Sequence, residues 1–338
     1  MKRSSYGERD YAFGQAMLSL RTDIGLTQAG LAESPSSAPA RSRLQPERRA
    51  RSARPCSIRP TRSACQCTPM ARRSASVATT TMMSTCRPSC VTEPLSDTGR
   101  VTVRIRRVTT TRAGGASAPP FDTFNLGDHV GDDPSAVGAN RKRLTTALRL
   151  GENAVVWMNQ VHGDRVVVVD GPLEAGEGVV DKTDALVTTT PRLALAVVTA
   201  DCVPVLLGDA RAGVVAAVHA GRVGAQKGVV AKTVEAMLRL GAHAGDISAL
   251  LGPAVSGRNY EVPEEMAAEV EAALPGSRTT TSRGTPGLDL RAGIARQLTA
   301  LGLTAIDVDP RCTVDDRNLF SHRRDAPTGR LASLVWME

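Results

Sequence analysis

LALAVVTADCVPVLLGDARAGVVAAVHAGRVGAQKGVVAKTVEAMLRL, residues 193–240, carries the pattern from which the rest of the chain is read. Three apolar runs, LALAVVTA (193–200), VPVLLGD (203–209) and GVVAAVHA (213–220), have strand length and are rich in Val. They are separated by short polar or Gly-containing joints, and they do not alternate cleanly, which is the mark of strands buried on both faces. HAGRVG then makes a tight Gly turn, and the apolar spacing of residues 225–240 predicts a helix. The first joint holds Cys202, and the end of the third run holds His219.

Outward from it the same grammar continues. AVVWMNQV (154–161), RVVVVD (165–170), DALVTT (184–189), ISALLGP (247–253) and RLASLVWM (330–337) read as further strands, and VTVRIRRV (101–108) alternates as a half-buried strand does. Helical spacing recurs at 263–274 and 288–301. FNLGDHVGDDPSAVGANRKRLTTAL (124–148) is a polar loop entering a helix, with Asp133 or Ser135 as N-cap and Pro134 at its first position. The expected fold is mixed α/β, with layered sheets flanked by helices.

Residues 1–98 read differently. YGERDYAFGQAMLSLRTDIGLTQAGLAE (6–33) resembles the opening of a helix-turn-helix of the Cro/repressor type, without the recognition helix that should follow. Residues 34–98 are Arg-, Ser- and Pro-rich; between 41 and 90 stand eleven Arg, no Lys, one acid and no Phe, Trp or Tyr. Such a segment cannot bury enough apolar surface to offset its ordering entropy, so disorder is expected there. The composition is that of a GC-rich gene read out of frame, and residues 1–98 are expected to be a truncated or misframed appendage. The domain division is therefore 1–33, 34–98 and 99–338.

The net charge of +8 belongs to that appendage, because residues 99–338 hold 27 Lys and Arg against 27 Asp and Glu. A nucleic-acid partner is not expected of a neutral domain. A DNA-binding regulator built on residues 6–33 is the weakest of the competing functions. No run of eighteen apolar residues is present, so no membrane span is expected. Five of the seven Cys fall within 56–90, leaving Cys202 and Cys312 in the neutral domain. Without an apolar leader, a cytoplasmic setting is expected, where Cys202 stays reduced.

NQVHGD, TADCVP and AAVHAGR each set a metal-ligating side chain just beyond a strand: His162, Cys202 and His219. Three such ligands leave a fourth position open, as a catalytic zinc site does. Their separations, 40 and 17 residues, exclude a zinc finger and require a sheet to bring them together. Asp201 is a candidate carboxylate behind the metal or a general base. Gly221 and Gly224 open the turn after His219 to an anion, with Arg222 and Lys227 adding charge; a plain steric need for Gly there is the competing reading. LGPAVSGRNYEV (251–262) and NLFSHRRDAPTGRLA (318–332) add polar clusters in which Arg323 and Arg324 suit a phosphate or carboxylate. Asn125, Arg141 and Gln160 are polar residues near the same loops.

Taken together, TTRAGG, FNLGDHVGDDPSAVGANR, QVHGDRV, DALVT, TADCVPVLL, VHAGRVG, GPAVSGRNYEV, LDL, CT and LFSHRRD with TGR resemble the YfiH family, also called the laccase-domain or multicopper polyphenol oxidase family. The resemblance spans residues 101–338. It implies a sandwich of mixed sheets with helices outside. It further implies a purine nucleoside phosphorylase acting on adenosine, inosine or guanosine with phosphate, together with adenosine deamination and methylthioadenosine phosphorolysis. The family's zinc ligands fall on His162, Cys202 and His219. The polyphenol-oxidase name implies copper, but three ligands cannot hold several copper ions; zinc is preferred, with copper as the ion such a set would also bind. Kinship of that fold to a bacterial-toxin hydrolase makes a Cys202–His219 hydrolase one alternative; a copper-dependent polyphenol oxidase, as the family name implies, is the other. Two positions depart from the family pattern: Arg222, where HAGW is common, and His322, where SYRRD is common. The oligomeric state is not legible.

Overall fold

The computed structural model describes residues 103–151, 153–173 and 179–338. The expectations for residues 1–33 and 34–98 lie outside the described residues. Within them, thirteen strands form two large sheets and one hairpin.

The six-stranded sheet is built around the opening segment. β7 (Val203–Asp209) pairs antiparallel with β8 (Val214–Ala220) and with β9 (Ile247–Leu251). β5 (Ala185–Thr188), β3 (Val166–Val168) and β12 (Ala305–Val308) complete it in the order β12-β9-β7-β8-β5-β3. The five-stranded sheet joins β1 (Ile105–Thr109), β13 (Leu331–Met337), β6 (Ala194–Thr199), β2 (Val155–Met158) and β4 (Val179–Val180), in that order.

Continuous apolar runs arise because both faces of these strands are covered. Leu206, Val215, Ala217 and Leu186 face Leu195, Val197, Val335 and Met337 of the other sheet, forming a dry inter-sheet layer. Their chain neighbours Val205, Leu207, Val214 and Ala216 turn the opposite way, onto Val230, Val234, Met237 and Ile294 of the covering helices. Trp157, Ala196, Leu334 and Trp336 pack on the outer side with Phe124, Leu126 and Leu144. Few aromatics are needed because Ala and Val let the layers approach closely. A Leu206→Ala change in the shared layer would cost about 2–5 kcal/mol.

α1 (Pro134–Ala147) starts as its sequence predicts: Asp133 is the N-cap, its carboxylate accepts from the Ser135 amide, and Pro134 follows. The stretch 225–240 is not one helix. A short α2 (Arg222–Gln226) is capped by Lys227, Gly228 follows with a left-handed φ of 80°, and α3 (Val229–Arg239) begins anew. Glycine accepts that conformation freely, and the helical apolar spacing conceals the break. α4 (Glu264–Ala273) and α5 (Leu290–Ala300) stand where expected. A one-turn α6 (His322–Asp325) occupies the SHRRD stretch, capped by the Ser321 hydroxyl. β10 (Arg278–Thr280) and β11 (Pro286–Leu288) form the hairpin, which the sequence reading passed over, as it did β4 and β12. Among the described residues no helix is long and apolar enough to cross a membrane.

Candidate metal centre and active site

β6 and β7 belong to different sheets. The chain crosses between them in the turn Ala200-Asp201-Cys202, with Asp201 at φ 90°. Cys202 thus stands at the near end of β7. Antiparallel pairing sets His219 opposite Pro204, one residue from that end. His162 enters from the loop after β2, itself at φ 57°. The three ligand atoms lie within 4.8 Å of one another. Cys202 Sγ is 3.7 Å from His162 Nε2, and the two imidazole rings meet edge to face with centroids 4.7 Å apart.

Glycine makes this approach possible. A Cβ on Gly221 would stand 2.7 Å from His162 Cδ2 and 3.2 Å from Cys202 Sγ, and one on Gly224 would stand 2.7 Å from the Gly163 carbonyl oxygen. Both glycines therefore act by steric necessity, the plainer of the two readings of that turn.

Behind the ligands lies Asp184, which is fully buried at the head of β5. Its Oδ1 is 2.8 Å from His219 Nδ1 and accepts from the His162 amide at 2.9 Å. Its Oδ2 accepts from the Gly163 amide at 2.7 Å and the Val161 amide at 3.3 Å. Burial works to raise the Asp184 pKa, but the His219 contact and these amides outweigh it, and the carboxyl is held below its ordinary value. Burial likewise opposes charge on Cys202 and His219. Their attraction for each other, with the His162 and Asp184 contacts, prevails: the thiol is held at about 6 and the imidazole at about 9.

Asp201 is placed otherwise. Its Oδ1 accepts from the Thr313 hydroxyl at 2.6 Å and its Oδ2 from the Arg323 amide at 2.7 Å, so it anchors α6 to the site. The carboxylate that meets a ligand histidine is Asp184, whose only trace in the sequence is an acid opening the strand DALVT.

The ligands form part of the wall of a cavity of about 410 Å³, a size suited to a small organic molecule. His129 and His322 join His162 and His219 there, so four of the five histidines of the chain line it. Asp201, Gln160, Arg222 and Arg323 line it as well, and so do Tyr260 and Arg330, from the polar clusters at 251–262 and 318–332. Gln160 is fixed by a two-point contact: its Nε2 donates to the Val198 carbonyl at 2.8 Å and its Oε1 accepts from the Val198 amide at 2.8 Å.

The arginines of the cavity are held by neutral acceptors. Arg222 donates to Gln226 Oε1 at 3.0 Å, Arg323 to the Glu261 carbonyl at 3.1 Å, and Arg330 to the carbonyls of Thr328 and Gly329. Burial depresses the Arg330 pKa, an effect opposed by the negative charges of Cys202 and Asp201. Arg323 also lies over the Tyr260 ring, 4.8 Å from its centroid. Burial first, then the Cys202 charge, pushes the Tyr260 phenol up, which keeps it a proton donor at neutral pH.

Three expected site residues are spent on the scaffold. Asn125 is buried and bridges Gly127, Asp132 and the Arg330 amide. Arg141 holds the Leu126 carbonyl and Asp128 and stacks on Trp157 at 4.2 Å. Arg324 gathers the carbonyls of Thr313, Val314, Asp316 and Leu319.

The molecule is a two-sheet α/β sandwich with a His-Cys-His cluster able to hold a metal ion in the wall of an arginine-lined cavity. The family described as multi-copper polyphenol oxidoreductase laccase matches residues 106–338, and the chain belongs to that family. The chain is 76% identical over 242 residues to a protein of Mycobacterium bovis named purine nucleoside phosphorylase, covering 72% of this chain and 96% of that one. It is 58% identical over 233 residues to a purine nucleoside phosphorylase of Corynebacterium glutamicum, covering 69% and 94%. The crystal structure of the Bacillus licheniformis hypothetical protein YfiH superposes with a TM-score of 0.65 at 32% identity, covering 70% of this chain and 97% of that one.

Proposed function

We propose that this chain is a zinc-dependent purine nucleoside phosphorylase. It cleaves adenosine, inosine or guanosine with phosphate to the free base and ribose 1-phosphate. Adenosine deamination and methylthioadenosine phosphorolysis are further activities of the same site. One observation carries the reading: three ligand atoms within 4.8 Å open onto a cavity lined by arginines whose hydrogen-bond partners are neutral. The names of the relatives supply the substrate class.

The donor set suits zinc: two imidazoles and a thiolate, with a carboxylate behind one imidazole. It is too small for the several copper ions that the family description evokes, although one Cu²⁺ would bind such ligands well. His162, Cys202 and His219 would hold the ion, which supplies a Lewis acid beside the reacting oxygen.

Everything else falls to the chain. Arg222, Arg323 and Arg330 orient phosphate so that one oxygen faces C1′ of the ribose. The new C1′–O bond forms as the C1′–N9 bond breaks, and the bonding pair leaves with the purine. The Tyr260 hydroxyl, kept protonated, is the donor at hand for the departing base. For deamination, where water replaces the C6 amino group as ammonia, Asp201 is the carboxylate within the cavity able to relay the proton. The histidine rings and Tyr260 give the purine flat partners without the aromatic side chains common at positions 222 and 322. Cys202 must stay reduced, which suits a cytoplasmic enzyme; both described cysteines are free.

The test combines elemental analysis of protein purified without added metal with detection of ribose 1-phosphate from adenosine and phosphate. Zinc at one ion per chain and product formation are expected. Nucleoside turnover retained in metal-free Cys202→Ala protein would defeat the reading.

A second reading has its own observation. Cys202, His219 and Asp184 stand in the order of a nucleophile, a base and an orienting carboxylate, the array of a cysteine hydrolase. That enzyme would survive chelators and die on thiol alkylation. The zinc enzyme loses activity to chelators and regains it with zinc.

A further inference from the structure

Two of the three ligands differ in how firmly the fold holds them. His219 belongs to β8, hydrogen-bonded to strands on both sides. His162 is exposed, on a loop outside any strand, at a left-handed φ of 57°. Something must hold that loop against the strand, and one buried side chain touches both.

We propose that Asp184 is the positioning residue of the metal centre: its carboxylate selects the ring nitrogen that His219 presents and pins the loop that carries His162. The inference rests on the metal-site reading above and deepens it.

Acceptor counting gives the first half. An ionised carboxylate accepts about four hydrogen bonds and donates none. Three of the donors around Asp184 are backbone amides, those of Val161, His162 and Gly163, at 3.3, 2.9 and 2.7 Å. The fourth atom is His219 Nδ1 at 2.8 Å. Beside an acceptor-only group that nitrogen must carry the proton, leaving the Nε2 lone pair for an ion. The second half is covalent: the three amides belong to consecutive residues centred on the ligand, so the carboxylate grips the loop at His162 itself. The main chain reinforces the link, since the His219 amide donates to the Asp184 carbonyl at 2.8 Å. One residue thereby sets the spacing between the strand ligand and the loop ligand.

Asp184→Asn separates this role from generic packing, because it keeps the shape and changes the hydrogen-bond chemistry. An amide has one accepting end. With its NH₂ toward His219, it donates to Nδ1 and forces the proton onto Nε2, where the ion should bind. With its NH₂ toward Gly163, it faces the amides of Val161 and Gly163 and releases the loop. Either orientation removes one of the two functions.

The experiment is a titration of the metal-free parent chain and of Asp184→Asn with Co²⁺, followed by visible absorption, and with Zn²⁺ by chelator competition. Circular dichroism establishes that both are folded. Affinity is expected to fall about 10–100-fold, the usual cost of losing a carboxylate behind a ligating histidine. The loss should shrink in a His219→Ala background, because part of the effect passes through that ring. Long-range ¹H–¹⁵N correlation on the zinc-loaded parent, labelled at histidine, should show Nδ1 protonated and Nε2 without a proton; this measurement stands even where the variant does not fold. Zinc affinity of Asp184→Asn within twofold of the parent overturns the inference, as does a proton on Nε2 in the loaded parent. A parent that takes up neither ion sinks the zinc reading and this inference together; a parent that binds while the variant binds equally sinks only this one.

Discussion

Among the described residues, two groups of side chains able to ligate a metal stand at opposite ends of β7. Cys202, His162 and His219 gather at its start; Asp209, His243 and Asp246 gather at its finish, and in each group the ligand atoms lie within 4.8 Å of one another. Six strand steps separate the two ends, about 20 Å at ~3.3 Å per residue. By proximity alone the groups are equivalent. Their hydrogen bonds set them apart. The Asp209 carboxylate is buried and accepts from the amides of Arg211, Ala212 and His243 at 2.8, 2.9 and 2.9 Å. It fastens a turn, and Asp246 is paired with Arg211 at 3.6 Å. At the other end the amide-bound carboxylate, Asp184, sits behind the ligands, leaving sulfur and imidazole nitrogen directed at a cavity. A metal centre is defined by lone pairs left free, and closeness is only the entry condition.

The strongest test of that contrast is Cys202→Ala. It removes the one anionic donor of the site. Zinc uptake should vanish, with a fall in kcat/KM for adenosine phosphorolysis of at least the ~10²–10³-fold that loss of a single electrostatic stabiliser produces. Elemental analysis and a ribose 1-phosphate assay read both. Zinc retained at one ion per chain would move the metal to the far end of β7 and invert the comparison.

Gly221→Ala comes next. Its added methyl would meet His162 Cδ2 at 2.7 Å and Cys202 Sγ at 3.2 Å. Overpacking of this kind costs about 1–3 kcal/mol. His162 is on an exposed loop while Cys202 abuts a buried strand, so the imidazole yields. The expected outcome is zinc affinity lower by about tenfold or more, with a melting temperature close to the parent's. Unchanged affinity would show that the loop tolerates displacement.

Much of this architecture is legible in the sequence, for reasons that name the exceptions. Strands buried on both faces write themselves as apolar runs, so β5 to β9 and β13 were readable. β4, β10 and β12 have two to four half-buried or exposed residues each and leave no such signature. The break at Gly228 is a matter of one φ angle within a continuous helical spacing. The meeting of His162, Cys202 and His219 was legible because each is a ligand-type side chain just beyond or at the end of a strand-like run. Asp184 was not: an acid at the head of a strand resembles a solvated terminus until topology buries it. Asn125 and Arg324 show the reverse, for polar side chains that look like ligand contacts prove to satisfy buried carbonyls and amides.

Asp209→Asn probes the far end. Asparagine keeps one accepting oxygen, so at least one of the three backbone amides held by Asp209 loses its acceptor, and an unsatisfied buried donor costs about 1–3 kcal/mol. Denaturant unfolding should show that loss, while zinc content and phosphorolysis stay at the parent's level. The matched change at Asp184 should do the opposite, lowering metal affinity more than stability. Equal behaviour of the two variants would remove the distinction between a carboxylate that fastens a turn and one that orients a ligand.

His243→Ala completes the contrast with the smallest effect. The ring is exposed, and His243 touches Asp209 through its amide, which the substitution keeps. Stability should stay within about 0.5 kcal/mol of the parent, the usual range for surface changes. Zinc stoichiometry should be unchanged, because an ion there would have to compete with three amides for Asp209 and with Arg211 for Asp246. Arg211 is the sharper obstacle, since its guanidinium already supplies the positive charge that a cation would bring. Pairing His243→Ala with Arg211→Ala therefore asks whether the far cluster is silent by geometry or by occupation. A second zinc ion appearing only in Arg211→Ala, and lost again in the double variant, would show that the far end is a metal site held shut by its own arginine.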